Sequence, residues 1–171
     1  MLVLTESKLD ETFPSTQFKI DGFKPPYRND LNKYAGRVMI YVREDLACKQ
    51  LHVMNNSGEG IFLELNLRKV KWLLFGGYNH KKSNIIFFLK ELGPLLDHYI
   101  AKFDHFLILG DFNSEITEDD MSEFCDIYHL KNLINEPTCY KNIHNPSNID
   151  VMLTNKSRNI QHSQTIQTSI K

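Results

Sequence analysis

The sequence predicts an α/β sandwich rather than a simple parallel sheet. Three observations carry the prediction. Val38, Ile40 and Val42 alternate with Arg37, Met39, Tyr41 and Arg43, and Ile61, Leu63, Leu65 and Leu67 alternate with Phe62, Glu64, Asn66 and Arg68, the period-2 pattern of half-buried strands. Trp72–Phe75 and Phe106–Leu109 are short apolar runs of the kind that form fully buried strands. Between those two runs, Ile85, Phe88, Leu89, Leu92, Leu95, Leu96, Tyr99 and Ile100 recur at helical spacing. At 171 residues the chain is one domain, 1–171, long enough to bury a sizeable core.

Taken in order, Met1–Thr5 reads as the middle of a buried strand. Gly36–Arg43 is the first alternating strand. Asn55-Asn56-Ser57-Gly58 is the turn before the second. The Trp72–Phe75 strand is expected to end at Gly76-Gly77. The helix that follows takes Ser83 as its N-cap, and Gly93-Pro94 is expected to kink or interrupt it. After the Phe106–Leu109 strand come a shorter helix near Asp119–Tyr128 and a late strand, Asn148–Leu153. Gln161–Lys171 reads as a strand without a partner.

The most informative residues lie at strand ends. The run Leu107-Ile108-Leu109 delivers Gly110-Asp111-Phe112-Asn113. A two-residue spacing on a strand points Asp111 and Asn113 to one face. A carboxylate beside an amide suits phosphodiester hydrolysis, one taking a proton from water and the other orienting an oxyanion. The same residue types also serve turns and helix caps, so the pair alone leaves both readings open. Glu6 ends the first strand, Tyr78 and Asn79 follow the strand at Trp72–Phe75, and Asp150 sits inside an apolar strand where an unpaired carboxylate is costly. Four successive strand ends thus present an acid, an amide or a phenol, and ligands of layered α/β proteins collect at such ends.

In this order and spacing, Leu4-Thr5-Glu6, Gly77-Tyr78, Gly110-Asp111-Phe112-Asn113 and Ile149-Asp150-Val151-Met152-Leu153 resemble the endonuclease/exonuclease/phosphatase superfamily. Thr5-Glu6-Ser7-Lys8-Leu9, Phe75-Gly76-Gly77-Tyr78-Asn79 and Glu136-Pro137-Thr138-Cys139-Tyr140 running on to Asp150 look most like the endonuclease domain of LINE-type non-LTR retrotransposons. The resemblance implies a four-layer DNase I-like α/β sandwich of two mixed sheets flanked by helices. It implies Mg²⁺, with Mn²⁺ as a substitute, held by Glu6. It implies that Tyr78 lies near the scissile phosphate, that Asp111 positions or deprotonates the attacking water, and that Asn113 contacts the phosphate. Asp150 would fix the tautomer of a catalytic histidine. The implied partner is DNA, and a reverse transcriptase is a compatible former fusion partner. Relatives of this kind also act on small phosphoesters or RNA, and an inactive remnant of the domain is the third reading.

The chain departs from the family in three places. The family's N-terminal strand carrying an Asn has no counterpart before Met1. Its C-terminal Ser-Asp-His-type motif has none before Lys171, so the domain is expected to be incomplete at both termini. The family's tyrosine is commonly followed by a proline two residues on, and here that position is His80.

Composition narrows little. A net charge of −1 argues against a strongly cationic nucleic-acid binder but not against a local basic surface, for which Arg28, Lys33, Arg37, Lys81 and Lys82 are candidates. Cys48, Cys125 and Cys139 form no Cys-x-x-Cys pair, and no His-Glu-x-x-His occurs, so neither a disulfide framework nor a zinc site is indicated. No signal peptide or membrane-spanning run is visible. The sequence therefore reads as a soluble intracellular protein, nuclear or cytoplasmic and not secreted, with no obligate protein partner.

Overall fold

The computed structural model describes residues 1–7, 9, 12–30, 38–80, 84–115, 119–140 and 144–164. Two sheets stack face to face. The smaller has β1 (Leu2–Thr5), β2 (Tyr27–Asn29) and β3 (Val38–Tyr41) in the antiparallel order β1-β3-β2. The larger has β4 (Ala47–Met54), β5 (Glu59–Leu67), β6 (Val70–Tyr78), β7 (His105–Asp111), β8 (Lys131–Asn132) and β9 (Asp150–Thr154) in the order β4-β5-β6-β7-β9-β8. Among the described strands of this sheet only β6 and β7 run parallel. A parallel pair needs a crossover, and α1 (Ile85–Ile100) supplies it. A second helix, α2 (Asp119–Ile127), follows β7.

The large sheet is buried on both faces. Phe62, Leu73, Phe75, Ile108 and Leu153 pack under Phe88, Leu92, Leu96 and Phe124 of the helices. On the other face Ile61, Leu63, Leu65, Leu74 and Tyr78 meet Val38 and Ile40 of the small sheet and Val42 just past its strand β3. The small sheet is covered on its outside by the chain around the 3₁₀ turn Ser15–Phe18. There the Tyr41 hydroxyl donates to the Phe18 carbonyl (2.8 Å), and the Phe23 ring meets the Tyr41 ring edge-on. The result is the layered α/β sandwich that the sequence predicts.

Two strands expected to be half-buried are therefore buried on both sides. All four residues of β3 are buried, and so are Phe62 and its alternating neighbours at the start of β5. Alternation marks the two faces correctly, but the residues expected to face solvent face a second layer. The reverse correction applies to Met1–Thr5. As β1 it pairs, among the described residues, with β3 alone, and Leu2 and Leu4 are 40% and 38% exposed while Val3 packs inward.

The glycines do not end β6, which continues through Gly76 and Gly77 to Tyr78. A Cβ on Gly76 would strike Ile40 of the facing sheet, and one on Gly77 would strike the Phe75 ring. Their role is close packing rather than a turn. At α1 the cap is Asn84, whose Oδ1 accepts the Ile86 N–H (2.9 Å); Ser83 lies outside the described residues. Pro94 does not interrupt α1. The Tyr128 hydroxyl, just past α2, lies 3.0 Å from both the Gly93 carbonyl and the Asp97 carboxylate, tying the two helices beside that proline. Gln161–Gln164 is not a strand, although the Ser163 hydroxyl reaches the Leu133 carbonyl; Thr165–Lys171 lies outside the described residues. Among the described residues no helix is long and apolar enough to cross a membrane.

Candidate active site

Strand direction and register bring the candidate residues to one end of the sandwich. β6 and β7 end level with each other, Tyr78 beside Asp111. β9 starts at that same level, with Asp150 opposite Asp111, and β5 starts with Glu59 opposite Tyr78. β1 of the facing sheet ends at Thr5, and Glu6 follows it in a left-handed conformation (φ 53°). The Tyr78 hydroxyl donates to Oε1 of Glu6 (2.7 Å), joining the two sheets at this end.

Asp111 and Asn113 come together by a route that the sequence did not predict. The strand stops at Asp111, so period-2 alternation does not reach Asn113. Asn113 is instead left-handed (φ 49°), and its backbone N–H donates to Oδ1 of Asp111 (2.9 Å), the turn in which an Asp side chain bonds the backbone two residues on. Gly110 makes this possible. Its φ of 152° is open to glycine, and a Cβ there would land on the Gly77 carbonyl of the neighbouring strand.

Asn79 is a second organiser, outside the candidate set read from sequence. It is 0% exposed. Its backbone N–H donates to the Asp111 carbonyl (3.0 Å), its side-chain amide to the Phe112 carbonyl (2.9 Å), and its own carbonyl accepts the Asn113 side-chain amide (2.8 Å). One residue thus holds three successive residues of the neighbouring loop. Its only sequence signal was its place after Tyr78. Thr138 is the other residue that sequence reading did not single out. Its hydroxyl accepts the backbone N–H groups of Ile149 (3.2 Å) and Asp150 (3.1 Å), and its signal was the segment Glu136-Pro137-Thr138.

The electrostatics follow from burial. The Tyr78 phenol is pushed well above its ordinary range by burial, then by the hydrogen bond and negative charge of Glu6 and by the charge of Asp111; a hydrogen bond from Asn113 opposes the shift. The phenol is therefore protonated at neutral pH and donates a hydrogen bond to Glu6. The Asp150 carboxyl is raised by burial and pulled partly back by its hydrogen bond with Thr138. The Asn113 amide serves the Asn79 carbonyl and the phenol.

Among the described residues no group of three or more His, Cys, Asp and Glu side chains is placed to hold a metal ion. Mg²⁺ asks for less, one or two carboxylates with water and phosphate oxygens completing its shell. Glu6, with one oxygen braced by Tyr78, fits that pattern and does not form a closed cage.

Arg28 is not placed as a phosphate contact. Its guanidinium bonds Asp30, the Phe13 carbonyl and Ser15, and lies 5.2 Å from the centre of the Phe18 ring. Lys33, Arg37, Lys81 and Lys82 lie outside the described residues.

No protein-family model matches this sequence, and no curated protein matches it by sequence. Solved structures do resemble it. The endonuclease domain of TRAS1, a telomere-specific non-LTR retrotransposon, aligns at a TM-score of 0.62 and 17% identity over 78% of this chain and 65% of that domain. The human Nocturnin catalytic domain with bound sulfate aligns at 0.65 and 13% over 90% and 68%. The 3′ phosphatase NExo from Neisseria, bound to a product DNA hairpin, aligns at 0.61 and 14% over 91% and 76%. This chain spans slightly less than two thirds of the TRAS1 domain, and at these identities the likeness is one of fold. With its two stacked sheets and level strand ends, the chain has the DNase I-like fold of the endonuclease/exonuclease/phosphatase proteins.

Proposed function

We propose that this protein is a Mg²⁺-assisted phosphodiesterase whose substrate is DNA, cut by nicking one strand. The observation that carries the reading is the joining of Glu6 and Tyr78 across the two sheets, at the same end as Asp111, Asn113 and Asp150. A lone solvated Glu would not be braced by a buried phenol.

Glu6 is the anchor for the metal, which when bound supplies Lewis-acid stabilisation of the phosphate and the leaving oxygen. Tyr78 positions Glu6 by its hydrogen bond and, being protonated, adds no negative charge where a phosphate must approach. Asp111 takes a proton from the attacking water as the new O–P bond forms and the P–O bond to the leaving 3′ or 5′ oxygen breaks, the electron pair departing with that oxygen. Its carboxylate is aimed by the Asn113 backbone N–H, and its backbone carbonyl is held by Asn79. Asn113 holds the phenol in turn. Asp150, raised by burial and bonded to Thr138, is the acid that would orient an imidazole in this fold.

DNA as the substrate is supported by the resemblance of the residues around Glu6, Tyr78 and Glu136–Asp150 to retrotransposon endonucleases, and by the similarity in fold to the TRAS1 domain. The test is nicking of supercoiled plasmid by the 171-residue chain with Mg²⁺, with EDTA, and with Glu6→Ala. Mg²⁺-dependent nicking that Glu6→Ala abolishes is the expected result. A folded chain that hydrolyses a small phosphoester or RNA but leaves plasmid intact would move the substrate class. A folded chain inert toward all three would overturn the enzyme reading in favour of a non-catalytic nucleic-acid-binding remnant.

A further inference from the structure

Glu115 has no part in the steps above, yet it lies two residues past Asn113, in the loop that leaves β7. Both of its carboxylate oxygens accept the backbone N–H of Asn148, at 3.0 and 3.2 Å, across 33 residues of sequence. Asn148 stands two residues before Asp150. The contact therefore links the loop that leaves Asp111 to the segment that enters Asp150.

Three successive backbone N–H groups lead into Asp150, and each ends on a side chain. That of Asn148 ends on Glu115, and those of Ile149 and Asp150 end on Thr138. The Thr138 N–H itself donates to the Ser147 carbonyl (3.0 Å), so Thr138 belongs to the segment it holds. It fixes the local shape of that segment but not its place relative to Asp111. Two ties cross from the Asp111 side. The Phe112 N–H donates to the Ile149 carbonyl (2.9 Å), and Glu115 takes the Asn148 N–H. Asp111 and Asp150 form the last rung between β7 and β9, so these ties continue the pairing of the two strands past the end of the sheet. An N–H bond to a carboxylate is charge-assisted and roughly twice as strong as one between neutral groups. Asn148 is held from behind as well, its side-chain amide donating to the Ile134 carbonyl (3.2 Å).

We propose that Glu115 is a positioning residue that fixes Asp150 relative to Asp111, acting through the backbone of Asn148. Its carboxylate is an acceptor at a set reach, and no covalent bond is made or broken there. The role rests on the phosphodiesterase reading above, in which the two acids serve one reaction.

The test measures kcat and KM for nicking of supercoiled plasmid with Mg²⁺ by the wild-type chain, Glu115→Asp and Glu115→Gln, each checked for folding by near-UV circular dichroism. Glu115→Asp keeps the charge and shortens the reach by a methylene. It is expected to lower kcat about 100-fold at unchanged KM, the scale of a reacting group misplaced by about 1 Å. Glu115→Gln loses the charge but keeps an acceptor oxygen at the same reach, and is expected to keep most of the rate. A contact that only stabilised the fold would lower the urea midpoint of Glu115→Asp and leave kcat alone. Wild-type kcat in folded Glu115→Asp, or a loss in Glu115→Gln as large as in Glu115→Asp, overturns the positioning role while the phosphodiesterase reading stands. A wild-type chain that leaves plasmid intact overturns that reading and the role with it.

Discussion

The Tyr78 hydroxyl donates a 2.7 Å hydrogen bond to Oε1 of Glu6, across the gap between two sheets and over a separation of 72 residues in sequence. A buried phenol locks the carboxylate in one orientation. Replacing Tyr78 with Phe keeps the ring and removes the hydroxyl, and with it the bond to Glu6 and the bond from Asn113. Outer-shell partners of metal ligands are worth about 10- to 100-fold in metal affinity or activity. Tyr78→Phe is expected to weaken Mn²⁺ binding, read by water-proton relaxation, within that range, while urea unfolding shows a loss of only about 1 kcal/mol. Unaltered Mn²⁺ affinity would remove Tyr78 as a positioning residue.

Asn79 is the structural staple of the site. Its side-chain amide satisfies the Phe112 carbonyl in an environment closed to water. Asn79→Ala leaves that carbonyl unpaired at a cost of about 1–3 kcal/mol. The loop carrying Asp111 and Asn113 should loosen as well. Urea denaturation gives the first quantity, and hydrogen exchange at the Phe112 and Asn113 amides gives the second. Native-like protection of both amides would show that the backbone bonds alone suffice.

Asp150 should trade stability for its role. Its carboxyl is raised by burial, so between the unfolded value and the higher folded one the folded state holds a proton that the unfolded state has released. Stability is then present below the unfolded pKa of 3.8 and falls as pH rises through the folded value. Asp150→Asn has no proton to lose. The variant should be more stable than wild type at pH 7, with the gap closing toward pH 3, and should lack phosphodiesterase activity. Urea midpoints at the two pH values decide the matter, and a variant less stable at pH 7 would mean that Asp150 has a compensating charge partner.

Gly110 should tolerate no side chain. It combines a φ of 152° with a backbone neighbour, the Gly77 carbonyl, where a Cβ would have to sit. Gly110→Ala must push β6 and β7 apart at the level of Tyr78 and Asp111. Strain of this kind belongs with the largest single-residue losses, about 4 kcal/mol or more. The variant should be insoluble or molten by near-UV circular dichroism, whereas Gly22→Ala, whose Cβ would meet nothing within 4 Å, should fold.

Much of the architecture is written locally. The helical spacing at 85–100, the alternation at 61–67, the turn at Asn55–Gly58 and the apolar run before Asp111 each depend on neighbours a few residues away, and each appears in the structure. The five candidate residues were visible for the same reason: polar groups at the ends of apolar runs stand out in any sequence. What the sequence could not determine is which layer lies above each strand face. Alternation in β3 and β5 separates two faces but does not say that both are covered, and β1 has core composition yet sits at a sheet edge. Nor could it reveal the hydrogen bonds that make the site. Tyr78 with Glu6, Asn79 with Asn113, and Thr138 with Asp150 join residues 72, 34 and 12 positions apart. Such pairings are created by strand register, and a shift of one residue would turn every side chain of a strand to its other face. Local periodicity specifies the elements, and the packing of two sheets selects which of their ends meet.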